Sequence, residues 1–444
     1  MNTFAAWRSL NRDQRNAFLA AFFGWALDAF DYFLVVFVIN DVGKEFKATD
    51  YTVSLATFLT LAFRPVGALI FGWLGDRFGR RVPLMVDIIL YSTLELITGF
   101  AWNMTAFLVI RALFGIGMGG EWGLGSALAL ETLPAKIRGT FSGLLQEGYA
   151  FGYLMASVVY GLAFPYVGWR GLFVIGALPA LLSLFIRAQV KESPAWLEGI
   201  KKEPAAQNGK PHPAPLLGKE REANPTPTLP LPRGGGKMSH VPIGQVIAAN
   251  WKMFAYVVLM MTAFNFMSHG TQDVYPLFLK KQHHFDPHTV AKISVIYNIG
   301  AILGGWFFGS LSQRIGRRKA IVTAALLGIP MIPLWAFSHT AVMLAIGAFC
   351  LQFMVQGAWG VVPAHLTELA PALARGTFIG LAYQTGNLIA SINLPLEIKL
   401  KDHWHGNFGL AIATVVFIVF ISLAIIAGLG PEKRGTAFVE ADEG

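Results

Sequence analysis

Charge is what this sequence has least of. Only 14% of its 444 residues are Asp, Glu, Lys or Arg, against roughly 25% in soluble domains, so a water-exposed globular surface is excluded. Cysteine is scarcer still: the single Cys350 excludes an internal disulfide and any multi-cysteine metal site. The ten-residue polar/apolar alternations of a membrane barrel are missing, and no strand leads into a Gly-rich nucleotide loop. Cations outnumber anions, 35 Lys+Arg to 26 Asp+Glu. In a soluble chain that excess suggests nucleic acid; here it belongs to cytoplasmic loops, and no nucleic-acid partner is expected.

What is present in abundance is apolar chain. Hydrophobic residues make up 54% and the mean hydropathy is +0.52. The apolar stretches run about 20 residues, enough at 1.5 Å per residue to cross a ~30 Å hydrocarbon core. Twelve spans are predicted, at 17–40, 53–74, 83–101, 106–130, 140–163, 170–188, 252–279, 290–311, 319–337, 341–366, 376–397 and 407–429. The first follows Arg8, Arg12 and Arg15 and is too long for a signal-peptide core. With the N-terminus inside, only Lys44, Lys47, Arg170, Lys280, Lys281, Lys292, Lys399 and Lys401 fall near the outer side, which predicts cytoplasmic termini.

The chain is a repeat. At an offset of 237 residues, Gly72-Trp-Leu-Gly-Asp-Arg-Phe-Gly-Arg-Arg81 aligns with Gly309-Ser-Leu-Ser-Gln-Arg-Ile-Gly-Arg-Arg318. In the same register Gly120-Glu-Trp-Gly123 meets Gly357-Ala-Trp-Gly360, and the run from Glu131 to Phe141 meets Glu368 to Phe378. Between the copies, PAAQNGKPHPAP and NPTPTLPLPRGGGK are too rich in Pro and Gly to pack a core. The expected organisation is a six-helix bundle over 1–188, a cytoplasmic Pro/Gly-rich linker over 189–250 and a second bundle over 251–444. Paired helical repeats are a transporter architecture, with the substrate at mid-membrane between them.

The motifs also carry a resemblance. Gly72 to Arg81 resembles the loop motif of the major facilitator superfamily, with Asp76 and the Arg77/Arg80/Arg81 cluster in place. Arg111-Ala-Leu-Phe-Gly-Ile-Gly-Met-Gly-Gly120 resembles its fourth-helix motif, and Lys191-Glu-Ser-Pro-Ala-Trp-Leu197 the motif that ends the sixth helix in sugar and acid porters. Three finer features resemble the sialate:proton symporter family, which includes lactate/pyruvate permeases. They are Gly24-Trp-Ala-Leu-Asp-Ala-Phe-Asp-Tyr-Phe33, Gly119-Gly-Glu-Trp-Gly123 and Asn265-Phe-Met-Ser-His-Gly-Thr-Gln-Asp273, the last followed by Leu277 where that signature carries Thr. The resemblance implies an all-α fold of twelve transmembrane helices in two halves. It also implies proton-coupled import of a small monocarboxylate across the inner membrane, by a non-enzymatic monomer needing no metal or cofactor beyond the proton gradient.

Ionisable groups inside spans mark where such chemistry sits, because each costs roughly 2.5–3.5 kcal/mol at the bilayer centre. Asp28 and Asp31, three apart, share a face of span 1. At 1.5 Å per residue Asp28 and Arg64 both lie within ~2 Å of the midplane, with Asp31 ~4 Å and Arg111 ~10 Å further out. A substrate carboxylate taking an Arg from an acid leaves that acid to take up a proton, a physical route to symport. The expected proton-coupling set is Asp28, Asp31, Arg111, Glu121 and Asp273. Asn265, Ser268, His269, Gln272 and Asp273 make one polar face of span 7, and the expected substrate-binding set is Arg64, Asn265, His269, Gln272, Gln356 and Gln384. A gating network is expected at the cytoplasmic ends from Asp76, Arg77, Arg80, Glu131, Arg138, Arg314, Glu368 and Arg375. The excess of Trp and Phe reads as lipid-facing packing. Alternatives are symport of sialate or another organic acid, a non-transporting sensor, and a sugar uniporter, for which buried acids are unnecessary.

Overall fold

A computed structural model of the chain describes residues 7–133, 141, 143–192, 243–371 and 375–433; the expected linker lies almost wholly outside them. Among the described residues the structure is helical with no strand, and ten helical runs are long and apolar enough to cross a bilayer. They correspond to spans 1–5, 7–10 and 12. Spans 6 and 11 are broken instead. The helix Gly148–Ile175 carries a kink at Gly168 (φ 62), a positive φ that costs glycine nothing. After a turn, span 6 resumes as Ala180–Gln189. Span 11 is Arg375–Ala390 followed by Asn393–His403.

Local chemistry sets several helix starts. Span 1 (Arg12–Phe46) begins at Asn11, whose side chain accepts from Gln14 N while the Gln14 side chain accepts from Asn11 N, closing both ends of a capping box. Thr49 caps span 2 (Asp50–Phe78), Thr340 caps the helix Ala341–Trp359 of span 10, and Asn407 caps span 12 (Phe408–Leu429). Span 8 (Pro287–Ile315) starts at Asp286, whose carboxylate accepts from His288 N, Thr289 N and the Thr289 hydroxyl. Those donors hold the Asp286 carboxyl below its ordinary range.

The halves pack by one rule. Span 2 lies along span 4 (Met104–Thr132), and span 8 lies along span 10. Small residues let these backbones touch: a Cβ on Gly67 would collide with the Ile116 carbonyl, and one on Gly304, its repeat counterpart, with the Phe353 carbonyl, the counterpart of Ile116. The same register recurs at the ends of spans 2 and 8. Gly79 (φ 90) and Gly316 (φ 100) end spans 2 and 8. Beyond each, a carboxylate covers the first amides of the next helix. Glu192 accepts from Arg80 N at 2.8 Å and Arg81 N at 3.1 Å; Glu432 accepts from Arg317 N at 3.3 Å and Arg318 N at 2.9 Å. The two halves meet along spans 2 and 11 and along spans 5 and 8, as a pseudo-twofold axis between them requires.

The close approach gives a direct test. Gly67→Leu should force spans 2 and 4 apart and lower stability by about 1–3 kcal/mol. Gly72→Ala, with nothing within 4 Å of the added carbon, should be neutral. Thermal melts of the two purified variants in detergent decide it; an unchanged melting temperature for Gly67→Leu contradicts the packing account.

Candidate functional site

The axis passes through the site. Tyr32 and His269 are repeat counterparts, and they meet there, Tyr32 Oη lying 3.3 Å from His269 Nδ1. Tyr32 also donates to Asp273 Oδ2 at 2.7 Å, and His269 Nδ1 lies 3.0 Å from the same oxygen. This triad stitches span 1 to span 7 (Trp251–Gln272, capped by Asp273). Beside it lies a narrow pocket, about 310 Å³ of space between atoms, lined by Arg64 and Gln146, Tyr149, Asn265, Ser268, His269, Gln356, Trp359 and Tyr383. Both halves contribute, and the repeat counterparts Gln146 and Tyr383 face each other's half across it.

Arg64 is the cation of this pocket. It is 2% exposed, yet its Nη2 has an anionic partner, Asp28 Oδ2 at 3.3 Å. Its guanidinium sits 5.6 Å from the centre of the Trp25 ring, a cation–π contact that favours Arg over Lys. Pro65 lies beside it in the helix. The second buried cation, Arg111, pairs with Glu95 of span 3 (Arg81–Gly99) and stacks on Phe114 with 3.9 Å to the ring centre. Asp31 lies on the same side of the midplane as Arg111 but makes no hydrogen bond to it. Span 3 packs directly on span 4, and so it is Glu95 that reaches the guanidinium. Asp31 joins the same cluster: a Cβ on Gly176 would lie 2.8 Å from Glu95 Cγ and 3.1 Å from Asp31 Oδ1. Neither oxygen of Asp31 has a hydrogen-bond partner, nor does either oxygen of Glu121. Glu121 packs against Gly24 and Gly125.

Of the six residues expected to bind substrate, Arg64, Asn265, His269 and Gln356 line the pocket. Asn265 Nδ2 and Gln356 Oε1 point there without a hydrogen bond, a donor and an acceptor held ready. The other two lie behind. Gln272 donates to Gln352 Oε1 at 3.2 Å, and Gln384 accepts from Asn387 Nδ2 at 3.2 Å. Asp273, expected in proton coupling, is bound by the Tyr32 hydroxyl.

Sequence reasoning missed several residues. Asp87 and Glu95 of span 3 are fully buried, and both oxygens of Asp87 are unpartnered; a charge count within span 3 finds them. Trp359, one of the tryptophans expected mostly to face lipid, lines the pocket instead, together with Tyr149 and Tyr383, which no expectation covered. No periodicity separates a ring that faces lipid from one that faces substrate.

Of the residues expected to gate, Arg138 lies outside the described residues, as do the side chains of Asp76, Glu131 and Arg375. Arg77 covers the rings of Trp73 and Phe78 at 5.5 and 5.7 Å. Arg80 gives its backbone amide to Glu192, and Arg314 stands in the last turn of span 8. Glu368 is held by both Arg317 Nη2 at 3.0 Å and Nε at 3.2 Å. Arg317 and Glu432 were not expected in this network. At the opposite end of the bundles the halves are latched: Lys280 donates to Asp41 at 3.0 Å and the Phe37 carbonyl at 2.6 Å, and Lys281 to Asp50 at 2.6 Å.

In sequence and in fold the chain is similar to known proteins. The sequence pattern of sugar (and other) transporters fits residues 17–220, and that of the Major Facilitator Superfamily fits residues 258–442. A carboxylic acid transporter protein homolog of Saccharomyces cerevisiae is 31% identical over 413 residues, 91% of this chain; the chain spans 64% of that protein's length. The sialic acid transporter NanX of Escherichia coli is 26% identical over 447 residues, 98% of each chain. The cis,cis-muconate transport protein of Acinetobacter baylyi is 26% identical over 418 residues, 94% of each. In fold, the chain is similar to the xylose transporter XylE of E. coli in a partially occluded inward open conformation. The TM-score is 0.70 at 18% identity, over 96% of this chain and 100% of that one. These relatives are transporters, not enzymes, and this chain belongs to the major facilitator superfamily as a multi-pass membrane transporter.

Proposed function

We propose that the protein is a proton-coupled symporter that imports a small monocarboxylate such as lactate or pyruvate by alternating access. In this reading it works as a monomer in the inner membrane, with both termini cytoplasmic and the proton gradient as its energy source. The observation that carries the reading is the Arg64–Asp28 pair at the wall of the pocket. A guanidinium presents a planar fork that matches a carboxylate. When the substrate takes that fork, Asp28 loses its counter-ion and takes up a proton; when the substrate leaves, Arg64 reclaims Asp28 and the proton departs. Asn265 and Gln356 supply a donor and an acceptor for the hydroxyl or keto oxygen, His269 closes the outer end, and Gln272 and Gln384 support this layer from behind. Asp31, Arg111 and Glu121 extend the proton-handling cluster, with Asp273 on the span 7 side.

A second reading, symport of sialate or another organic acid, is favoured by the full-length likeness to NanX. The narrowness of the pocket favours the smaller anion. Counterflow in proteoliposomes with labelled lactate, pyruvate and sialate separates the two. Exchange of sialate alone overturns the monocarboxylate assignment.

Arg64→Lys keeps the charge but loses the fork and its stacking on Trp25. It should weaken binding by about tenfold or more, the worth of one charge-assisted hydrogen bond. Isothermal binding to purified variant and wild type checks this, and equal affinity removes Arg64 from the site.

Asp28→Asn and Asp31→Asn test the proton carrier. An amide mimics the protonated acid, so proton-driven accumulation should fail while exchange of labelled for unlabelled substrate, which moves no net proton, survives. Both assays are run side by side with surface expression measured. If both variants still concentrate substrate when the outside is acidified, neither aspartate carries the proton.

A further inference from the structure

Near the outer side of the C-terminal half, two spans break side by side. Span 7's long helix ends at Gln272 and resumes at Tyr275, and span 11 resumes at Asn393 after its turn. The two breaks meet around Gly270. A Cβ there would lie 3.3 Å from Glu397 Oε1, 3.4 Å from Asn393 Oδ1 and 3.5 Å from Val415 Cγ1 of span 12. Glu397 is fully buried, Asn393 is 1% exposed, and no polar atom of either side chain has a hydrogen-bond partner. Glu397 therefore differs from Asp28 and Glu95 in having no guanidinium beside it.

The charged groups around it are few. From span 7, Asp273 acts on Glu397 as a like charge; its Oδ2 is committed to Tyr32 and His269, and its Oδ1 is unpartnered. On Glu397's own helix, Lys399 lies over the Tyr51 ring of span 2, and Lys401 pairs with Asp402 and covers Phe408. Span 2 thus offers an aromatic ring, and span 12 presents Val415. An ionised Glu397 would face Asp273 with no compensating cation, in surroundings where water does not screen the repulsion.

We propose that Glu397 is a second proton-binding site, whose occupancy permits the outer face to close; this rests on the proton-symport reading above. Closure draws Asp273 into its bond with Tyr32 of the other half, beside Glu397. A proton taken from outside water forms the O–H bond on Glu397 and removes the like charge, with the Asn393 side chain beside the carboxyl. Loss of that proton sets two carboxylates against each other across the Gly270 break. That weakens the Tyr32–Asp273 stitch and favours the open outer face.

The test reads closure itself, without substrate. In a Cys350→Ser background, spin labels at Lys44→Cys and His288→Cys, exposed positions on the outer ends of opposite halves, report the gap between them by pulsed electron resonance. In the wild-type sequence the short-distance population should fall as pH rises, by about tenfold per unit above its midpoint. In Glu397→Gln, which is permanently neutral, it should stay constant. An identical pH response in both overturns the proposal. If added sodium restores the short distance at high pH and Glu397→Gln abolishes that effect, the site holds sodium and the proton assignment fails. Should Glu397→Gln not reach the membrane, Asn393→Ala must shift the midpoint; an unmoved midpoint overturns the proposal equally. Failure of the symport reading looks different: wild-type protein would show no acid-driven accumulation, whatever the labels report.

Discussion

The interior of this protein is organised by a shortage of positive charge. In the N-terminal bundle Asp28, Asp31, Asp87, Glu95 and Glu121 are all fully buried, against two buried guanidinium groups, Arg64 and Arg111. Each uncompensated ion at membrane depth costs a few kcal/mol. Such a cluster therefore holds fewer charges than it has acids, and any anion that occupies an arginine changes how many. In the proposed symport, coupling between anion and proton is a consequence of that scarcity. The C-terminal bundle does not repeat this cluster; its buried acids Asp273 and Glu397 stand at other positions. At the repeat offset Arg64 becomes Ala301, Asp87 becomes Ala324, Glu95 becomes Ile332, Arg111 becomes Ala348 and Glu121 becomes Ala358. Asp28 and Asp31 become the neutral Asn265 and Ser268. At the pocket one half presents Arg64 with its acids behind it, the other presents the neutral Asn265 and Gln356, and the pocket lies where they face each other.

Symmetry and its violation together make the site. The packing glycines, the positive-φ helix ends and the carboxylates that cover the next helix recur in both halves. This gives two rigid bodies of the same build. Their meeting line is marked by Tyr32 and His269, equivalent positions that touch. The latch on the outer face, Lys280 with Asp41 and Lys281 with Asp50, holds the bodies together on one side. Alternating access requires that such a latch compete with a network on the opposite side. Arg317 bound to Glu368 and the Glu192 and Glu432 caps supply fixed points at those cytoplasmic ends.

Much of this was legible in the residues. The 237-residue register marked the chain as a repeat, and hydropathy placed ten of twelve spans. Depth arithmetic put Asp28 and Arg64 at one level, where they are found 3.3 Å apart. Spans 6 and 11 were less legible because hydropathy averages across a break. Gly168 and the turn before Asn393 interrupt hydrogen bonding without interrupting apolar character. Partner choice was also hidden: Arg111 selects Glu95 through the packing of span 3 on span 4, a tertiary fact that no spacing along span 4 encodes. Tyr149, Trp359 and Tyr383 carry no sign of the direction they face. Glu432 escaped because its counterpart Glu192 lies three residues out of the repeat register.

The central claim is that an anion and a proton exchange places at Arg64 and Asp28. Proton uptake on substrate binding measures this most directly, with purified protein in weakly buffered detergent, a pH indicator, and lactate or pyruvate added at saturating concentration. The account predicts net uptake of protons from solution in proportion to anion bound, lost in Asp28→Asn. Binding of the anion with no proton taken up, or with the same uptake in Asp28→Asn, contradicts it.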